Sequence, residues 1–465
     1  MLFVMIAVSA MPINVGADKQ LFIDRRFIER EQNVSLVVNR PRKTADRIIV
    51  ADKPWESFIV NAWVTVMEDG GRVRMWYEAY SAETPSDTQA RLCYAESADG
   101  IHFTKPELGL IEFRGSKNNN IVFDGKPGWY HGGTVFKDPT APPDKRYKLI
   151  YLGRGGDAGK HAVRGAYSPD GLRWTQYPEP ILTVSSDTQS VGFWDERIKK
   201  YVAYVRLWNP MRTVGRSESD DFAQFPPAHE VMRYDDQDPP DTDLYNNAVI
   251  KYPYAADVYL AFPSRFYHKP DTLDVQLAVS RDGVTWTRPD RTPLIPLGKQ
   301  GESDSKTIYA SVGLLRRADE LWMYYNGGDV GHNANDPKRV KYGRVTSRAV
   351  LRLDGYMSVD TTETGGEFTT PPIIFSGDHL ELNIDTGMRG VCAVELRDEE
   401  GKPIKAFNAE RCDVIQANST AHEVTWRKSA SLSQFAGKPI RLRFIMKDCK
   451  LYAFQFAKAH RTLSP

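Results

Sequence analysis

The chain has 465 residues, of which 41% are hydrophobic and 26% charged, a composition typical of a globular protein with two or three domains. Its formal net charge of +1 provides no strong field for nucleic acid or an anionic membrane surface. No internal run approaches the roughly 20 apolar residues of a membrane-spanning helix. We therefore expect no nucleic-acid partner, and no membrane partner once the N-terminal segment is removed.

Residues 1–17 resemble a secretory signal peptide. The apolar run Leu2–Ala10 precedes the small residues Val15-Gly16-Ala17, which match an A-x-A-like cleavage site. This pattern predicts a secreted or periplasmic protein whose mature chain begins near Asp18. The alternative is that these residues form a buried first strand. Residues 18–50 are predicted to be an N-terminal segment before the repeats.

A short phrase, Ser-x-Asp followed four residues later by an aromatic, recurs along the chain. Its four copies begin at Ser97, Ser168, Ser219 and Ser280. In three copies Gly follows the Asp, as expected for a tight hairpin turn that needs positive φ. In the third copy Phe222 takes the place of that glycine. The phrase therefore predicts a repeated hairpin.

Aromatic-rich strands accompany these turns. They are predicted at residues 72–80, 146–154, 199–208, 257–266 and 320–328. A strand rich in β-branched residues lies upstream of each, which gives five units of about four short strands. Repeats of this kind predict an all-β fold, with a five-bladed β-propeller over residues 51–358. The alternative is a β-sandwich of unrelated hairpins.

The sequence changes character near Thr362. Alternating apolar residues with Gly and Asp turns predict short antiparallel strands, and we expect a β-sandwich over residues 359–465.

The cysteines are few and widely spaced. They are Cys93, Cys392, Cys412 and Cys449. Because there is no C-x-x-C pair, we predict no zinc site. An oxidising compartment would permit one disulfide among the last three.

Propeller geometry selects candidate site residues. A pocket on the axis is lined by the starts of first strands and the ends of second strands. The candidate catalytic carboxylates at these positions are Glu56, Asp187, Asp243 and Asp304. The candidate substrate-binding residues are His131, Arg206, Tyr245, Arg265, Tyr309 and His332. No metal ligand set and no cofactor are predicted.

These residue types suit sugar chemistry. One acid protonates the departing glycosidic oxygen, and a second carboxylate attacks the anomeric carbon or activates water. Arginine can hold an acidic sugar's carboxylate through two hydrogen bonds. The structural alternatives are carboxylates that serve as turn acceptors, arginines that only pair with them, and histidines that are polar core groups.

Four stretches carry a family resemblance. They are "PELGLIEFRGSKNNNIV", "KDPTAPPDKRYKLIY", "LDGYMSVD" and "LRFIMKDCKLYAFQF". With them the chain resembles the five-bladed propeller glycosidases of glycoside hydrolase families 32 and 43 over most of its length. The resemblance implies a propeller followed by a β-sandwich and three axial acidic residues, which act as nucleophile or base, stabiliser and acid.

The resemblance assigns positions in this chain. Glu56 takes the first-blade position, Asp187 the third, Asp243 the fourth and Asp304 the fifth. The family 32 motif Trp-Met-Asn-Asp-Pro-Asn-Gly is absent, with "PWESF" in its place, and the Glu-Cys motif of the acid is also missing. Fructan specificity is therefore not implied.

We predict a secreted glycoside hydrolase that acts on an oligo- or polysaccharide. The alternatives are a non-catalytic carbohydrate-binding propeller and a polysaccharide lyase. Two carboxylates about 5 to 9.5 Å apart across the pocket would favour hydrolysis. A Tyr/His pair that faces an arginine, without such a carboxylate pair, would favour a lyase.

Overall fold

The computed structural model describes residues 11–81, 90–155, 161–333, 343–429 and 431–458. The chain divides into two compact units. The terminal unit comprises residues 1–39, 252–256 and 352–465, and the repeat unit comprises residues 40–251 and 257–351. The predicted segment 18–50 is thus shared between the units.

Regular structure in the described ranges is almost entirely strand, which confirms the all-β class. The helical segments are single 3-10 turns at Pro54–Glu56, Pro143–Lys145, Lys405–Phe407, Ala409–Arg411 and Ser433–Phe435. No helix in these ranges is long and apolar enough to cross a membrane.

Four short strands come first and belong to the terminal unit. They are β1 (Ile13–Gly16), β2 (Gln20–Leu21), β3 (Arg30–Gln32) and β4 (Ser35–Val38). Residues 1–10, which carry the predicted apolar signal run, lie outside the described residues. Val15 in β1 is buried in the core of the terminal unit, so residues 13–16 of the predicted signal segment form part of this unit.

The first three repeats form antiparallel meanders. The first contains β6 (Ile59–Asp69), β7 (Arg72–Tyr80), β8 (Arg91–Ser97) and β9 (Ile121–Phe123), after the short β5 (Arg42–Lys43). The second contains β10 (His131–Lys137), β11 (Tyr147–Arg154), β12 (His161–Ser168) and β13 (Thr175–Gln176). The third contains β14 (Val191–Asp195), β15 (Lys200–Trp208), β16 (Arg212–Ser219) and β17 (His229–Met232). Within each repeat every strand pairs with the next one in sequence.

The fourth repeat is more fragmented. Its strands are β18 (Thr242–Leu244), β19 (Ile250–Lys251), β20 (Tyr259–Ala261), β21 (Ser264–Tyr267), β22 (Thr272–Val275) and β23 (Ala278–Ser280). The single strand predicted over 257–266 is wrong, because it breaks at Pro263 into β20 and β21. Proline has no N–H to donate to a sheet and is confined to edges and breaks.

The fifth repeat contains β24 (Thr307–Arg317), β25 (Glu320–Gly328) and β26 (Arg344–Arg352). Its sheet is completed by β5, which pairs antiparallel with β26 although it precedes the first repeat in sequence. The start and the end of the repeat unit therefore share one sheet.

The repeated turns connect different repeats. In three of them the glycine carbonyl accepts a hydrogen bond from an aromatic side chain of another repeat: Trp76 to Gly171 at 2.7 Å, Tyr204 to Gly283 at 2.6 Å and Tyr324 to Gly100 at 2.5 Å. At Gly171, φ is +76° and a Cβ would lie 2.8 Å from the Trp76 ring, so glycine is required. In the third repeat Phe222 instead packs edge-on against Phe136 of the second repeat.

The terminal unit contains the remaining strands. They are β27 (Met357–Thr361), β28 (Gly366–Thr369), β29 (Ile373–Phe375), β30 (His379–Asp385), β31 (Val391–Arg397), β32 (Asn418–Glu423), β33 (Arg441–Lys447) and β34 (Cys449–Ala457). One sheet has the order β32-β30-β34-β27-β4, with β2 also on β34, and another has the order β3-β28-β33-β31. β1 pairs parallel with β29. One apolar cluster, which includes Phe22, Phe368 and Phe454, draws on both larger sheets. The β-sandwich description stays a prediction.

The four cysteines are buried free thiols. A hydrogen bond to Cys449, together with burial, raises the pKa of the Cys392 thiol well above its usual value.

Candidate functional site

A mainly polar pocket of about 190 Å³ lies in the repeat unit. Its lining residues are Phe58, Ile59, Asn61, Trp63, Tyr80, His131, Asp187, Tyr245, Tyr309, His332 and Arg344. Two larger depressions, of about 410 and 600 Å³, contain no histidine in their lining. Of these three pockets, the 190 Å³ pocket is the one in which histidine side chains lie beside a carboxylate and aromatic rings.

Strand ends place the polar groups of this pocket. Tyr80 is the last residue of β7, whereas His131 and Arg344 are the first residues of β10 and β26. The pairing register shifts just after His131, and such bulges re-aim side chains at strand ends. These three polar side chains therefore reach the pocket from the ends of their strands.

A close backbone approach brings His131 next to the loop that carries Asp187. Gly132 has φ of +61°, and a Cβ there would lie 2.2 Å from the carbonyl oxygen of Thr188. Only glycine allows the two segments to come this close. The His131 Nε2 atom lies 3.4 Å from Oδ1 of Asp187 as a result.

Glu78 holds the other side of the His131 ring. Its carboxylate has no exposed surface. Oε1 lies 3.0 Å from His131 Nδ1 and accepts hydrogen bonds from Asn61 Nδ2 at 2.8 Å and Tyr80 Oη at 2.9 Å. Oε2 accepts the backbone N–H of Gly132 at 2.8 Å. The imidazole is therefore fixed from behind, with Nε2 on the side of Asp187.

The pKa values of this pair move apart. Burial opposes the charged form of His131, but the Glu78 carboxylate outweighs it and raises the pKa of the imidazole. Burial would likewise raise the pKa of Glu78, but the charge and hydrogen bond of His131 lower it. Both effects favour an imidazolium–carboxylate pair.

Asp187 is the exposed member of the site. Its side chain is 66% exposed, although it stands on the loop just before β14. Oδ2 lies 3.7 Å from Arg206 Nη1, which is too long for a hydrogen bond. Its carboxylate oxygens are therefore accessible from the pocket.

Aromatic groups line the pocket beside His131, whose ring meets Trp63 edge-on at 6.0 Å. Trp63 stacks nearly parallel on Tyr245 with ring centroids 6.2 Å apart, and it meets Tyr309 edge-on at 5.6 Å. The hydroxyl of Tyr309 lies 2.7 Å from Nδ1 of His332. Burial, followed by the charges of Arg344 and other nearby arginines, lowers the pKa of His332 to about 3. His332 is thus a neutral imidazole, in contrast to His131.

Three predicted carboxylates are not among the lining residues. They are Glu56, Asp243 and Asp304, and each is buried against a cation. Glu56 accepts Lys105 at 2.7 Å, Asp243 accepts Arg212 at 2.9 Å, and Asp304 accepts Lys43 at 2.8 Å. This placement corrects the expectation that four carboxylates surround one axial pocket, because these three are occupied by structural ion pairs.

The two predicted arginines also differ from each other. Arg206 is buried beneath the pocket, with its guanidinium 4.4 Å from the ring centre of Tyr245. Arg265 pairs with Asp274 at 3.1 Å and is not part of the lining. Only Arg206 therefore adjoins the site.

Several lining residues were not selected from the sequence. They are Asn61, Trp63, Tyr80 and Arg344, and the candidates also did not include Glu78, which is buried behind them. Glu78 and Tyr80 share one face of β7 because side chains alternate along a strand. That period-two signal in "WYEAY" could have identified them as a pair.

Among the described residues, no group of three or more His, Cys, Asp or Glu side chains is placed to hold a metal ion.

No family model matches the chain. It is 29% identical over 139 residues to uncharacterized proteins from two strains of Mycobacterium tuberculosis, CDC 1551 / Oshkosh and ATCC 25618 / H37Rv. That alignment covers 29% of this chain and 39% of each relative, so the chain spans about two-fifths of the relatives it matches.

The solved structures that resemble the chain include glycoside hydrolases. One is described only as a glycoside hydrolase, with 16% identity, a TM-score of 0.47 and coverage of 66% of this chain and 92% of that one. A thermostable family-43 glycoside hydrolase has 15% identity, a TM-score of 0.46 and coverage of 68% and 95%. An N-acetylgalactosamine deacetylase from F. plautii, in complex with blood group B trisaccharide, has 14% identity, a TM-score of 0.49 and coverage of 68% and 96%.

Proposed function

We propose that the protein is a carbohydrate-active enzyme that hydrolyses a glycosidic bond in the 190 Å³ pocket, with His131 as the proton donor. The observation that carries this proposal is the series Glu78–His131–Asp187. A buried carboxylate holds Nδ1, and an exposed carboxylate lies 3.4 Å from Nε2. Glycosidic cleavage needs a donor for the departing oxygen and a second group to support charge or water at the anomeric carbon.

Glu78 prepares His131 for the donor role. Because Glu78 raises the pKa of the imidazole, His131 stays protonated to a higher pH than an unpaired histidine. Nε2 delivers its proton to the glycosidic oxygen as that bond breaks. Glu78 does not touch the substrate, and its part is to position the ring and stabilise the imidazolium.

Asp187 is the second group, as the one carboxylate in the described lining. An ionised carboxylate opposes the positive charge that develops on the sugar ring. At 3.4 Å from Nε2, Asp187 lies on the same side of the bond as His131, so it accepts a proton from a water that enters where the leaving group has departed. The proton given by His131 and the one taken by Asp187 then balance.

The aromatic wall suits a sugar ring. Trp63 and Tyr245 stack on each other and are almost fully buried, so they give the pocket a rigid aromatic boundary, to which Asn61 and Tyr309 add polar groups. These residues bind and orient the ring so that its glycosidic oxygen meets Nε2 of His131.

The test is a screen on polysaccharides and aryl glycosides, with products separated by chromatography. On any substrate that is cleaved, we expect His131→Asn to lower turnover by about 10²- to 10⁴-fold. His161→Asn is the matched control, because His161 also stacks on Trp129 but is not a lining residue. Wild-type turnover in His131→Asn would contradict the proposal.

Elimination is the second candidate reaction. It meets the criterion drawn from the sequence, because the described lining contains one carboxylate rather than a pair and holds the neutral Tyr309–His332 pair beside Arg344. Hydrolysis in this pocket therefore depends on His131 in place of the second carboxylate. A neutral imidazole can accept a proton through the tyrosine hydroxyl, and an arginine can stabilise the charge that results on an adjacent carboxylate. Elimination leaves an unsaturated sugar that absorbs ultraviolet light, whereas hydrolysis does not, so the same screen separates the two reactions.

We also propose that the five repeats close into a five-bladed propeller. Support comes from β5, which completes the fifth sheet, and from the Tyr324 hydrogen bond to Gly100, which joins the fifth repeat to the first.

An extracytoplasmic location is proposed as well, from the apolar run Leu2–Ala10. Cleavage after Ala17 would remove β1, which begins at Ile13 and packs in the core of the terminal unit. N-terminal sequencing of the exported protein shows whether that strand is retained.

A further inference from the structure

Arg344 differs from the other cations around the pocket. It is 7% exposed and lines the cavity at the start of β26. Nη1 donates to Oδ1 of Asn61 at 2.7 Å, and the guanidinium lies 4.9 Å from the ring centre of Tyr309. Nε is a buried donor with no partner. Within the described ranges, no carboxylate pairs with Arg344.

Two of the neighbouring cations have close carboxylate partners. His131 faces Glu78 at 3.0 Å and Arg212 faces Asp243 at 2.9 Å. The remaining neighbour, Arg206, lies 3.7 Å from the exposed Asp187, but it is not a lining residue. Arg344 is therefore the arginine that both borders the cavity and has no carboxylate partner among the described residues.

A buried charge without a counter-ion is unfavourable, and proteins seldom retain one except at a functional site. The charge of Arg344 also affects a neighbouring group. After burial, it is the largest cause of the lowered pKa of His332, which keeps that imidazole neutral. An anion that enters the pocket would pair with the guanidinium of Arg344.

We propose that the pocket binds a sugar with an anionic substituent, a carboxylate or a sulfate, and that Arg344 is its counter-ion. This inference rests on the proposed function, in that it takes the occupant of the pocket to be a carbohydrate. A planar carboxylate, or two oxygens of a tetrahedral sulfate, can accept two parallel hydrogen bonds from a guanidinium, as in arginine pairs with carboxylate and phosphate.

A hydrogen-bond chain links this position to His131. Arg344 donates to Asn61, Asn61 donates to Oε1 of Glu78, and the same oxygen lies against Nδ1 of His131. The anion would therefore be held at a fixed position relative to the proton donor, which sets the register of the sugar chain in the cavity.

The test is binding measured by calorimetry with four probes: glucuronate, galacturonate, galactose 6-sulfate and neutral galactose. We expect one or more acidic sugars to bind about ten- to a hundredfold more tightly than galactose, as for hydrogen bonds to a charged group. Arg344→Gln should remove that preference. The uronates and the sulfated sugar show which anion the site takes.

Arg348→Gln is the matched control. Arg348 lies on the same strand with similar burial, but it pairs with Asp46 at 2.7 Å and is not a lining residue. The control should keep the preference for acidic sugars. Chemical denaturation adds a readout without ligand, because removal of an unpaired cation should cost less stability than removal of the paired Arg348.

Two outcomes would overturn the inference. If acidic and neutral sugars bind equally well in the wild type, the anion preference is wrong while the carbohydrate site stands. If no probe binds and Arg344→Gln is as destabilised as Arg348→Gln, Arg344 is a structural residue and the pocket has no anion site. Cleavage of neutral glycosides would leave the proposed function intact.

Discussion

Replacement of Glu78 by glutamine should lower both the stability of the repeat unit and the pKa of His131. The carboxylate accepts hydrogen bonds from Asn61, Tyr80 and the backbone N–H of Gly132, and it faces His131. The Glu78 side chain has no contact with solvent. Glutamine keeps the shape but has only one acceptor oxygen. Whichever way the amide is turned, its NH₂ group meets donors that the carboxylate had satisfied.

The size of the effect follows from these contacts. A buried donor left without an acceptor costs about 1–3 kcal/mol. Removal of one member of a buried ion pair costs about 3–5 kcal/mol. Because the two losses overlap at Oε1, we expect the free energy of unfolding to fall by about 3 kcal/mol.

The loss depends on pH in a defined direction. The folded pKa of His131 is raised above 6.5, so its stabilising contribution is complete below that value and disappears as the pH rises through the folded pKa. The folded pKa of Glu78 is lowered below 4.5, so its contribution is complete above that value. The difference between wild type and variant is therefore largest between pH 4.5 and 6.5.

The assay is urea denaturation at several pH values, with an NMR titration of the His131 ring assigned from the His131→Asn spectrum. Glu56→Gln is the matched control, since Glu56 is equally buried and accepts Tyr77 and Lys105. It should lose comparable stability and leave the pKa of His131 unchanged. An unshifted pKa in Glu78→Gln would refute the reasoning.

Three further outcomes are expected. Gly132→Ala should lower the free energy of unfolding by about 1–3 kcal/mol in urea denaturation, because φ is positive there and the new Cβ would lie 2.2 Å from Thr188 O. The variant should also reduce turnover, because relief of this clash would displace Asp187. Trp76→Phe should cost about 1 kcal/mol by removal of the hydrogen bond to Gly171, and an unchanged urea midpoint would contradict this. Replacement of a paired carboxylate by its amide, as in Glu56→Gln, Asp243→Asn or Asp304→Asn, should lower stability rather than turnover. A variant that is stable but inactive would support the catalytic role predicted for that residue from the sequence.

The local parts of the fold could be predicted well. The strand predicted at 72–80 is observed as Arg72–Tyr80, because alternating side chains and an Asp-Gly turn are signals carried by neighbouring residues. Pairing between distant segments could not be predicted. β3 reads Arg-Glu-Gln and is wholly exposed, so it has no apolar face to reveal that it adds to a sheet of the terminal unit.

The sequence could indicate where candidate residues lie but not which of them share a pocket. The search at strand ends selected His131, Asp187 and His332, and these three line one pocket because the topology brings their strand ends together. Whether a carboxylate faces a pocket or a cation depends on residues far along the chain. Asp304 is paired with Lys43, which is 261 residues away in sequence. No local pattern records such a pairing.

The ion pairs themselves provide the strongest reason to look for function in this pocket. Glu56, Glu78, Asp243 and Asp304 are buried carboxylates, and each has a cationic partner. Two charged lining groups depart from that rule, as Asp187 is exposed with no cation closer than 3.4 Å and Arg344 is buried with no carboxylate among the described residues. A bound substrate would supply a partner for both of these groups. A sugar with an anionic group at Arg344 pairs with the guanidinium, and the positive charge that develops on its ring during cleavage is stabilised by Asp187.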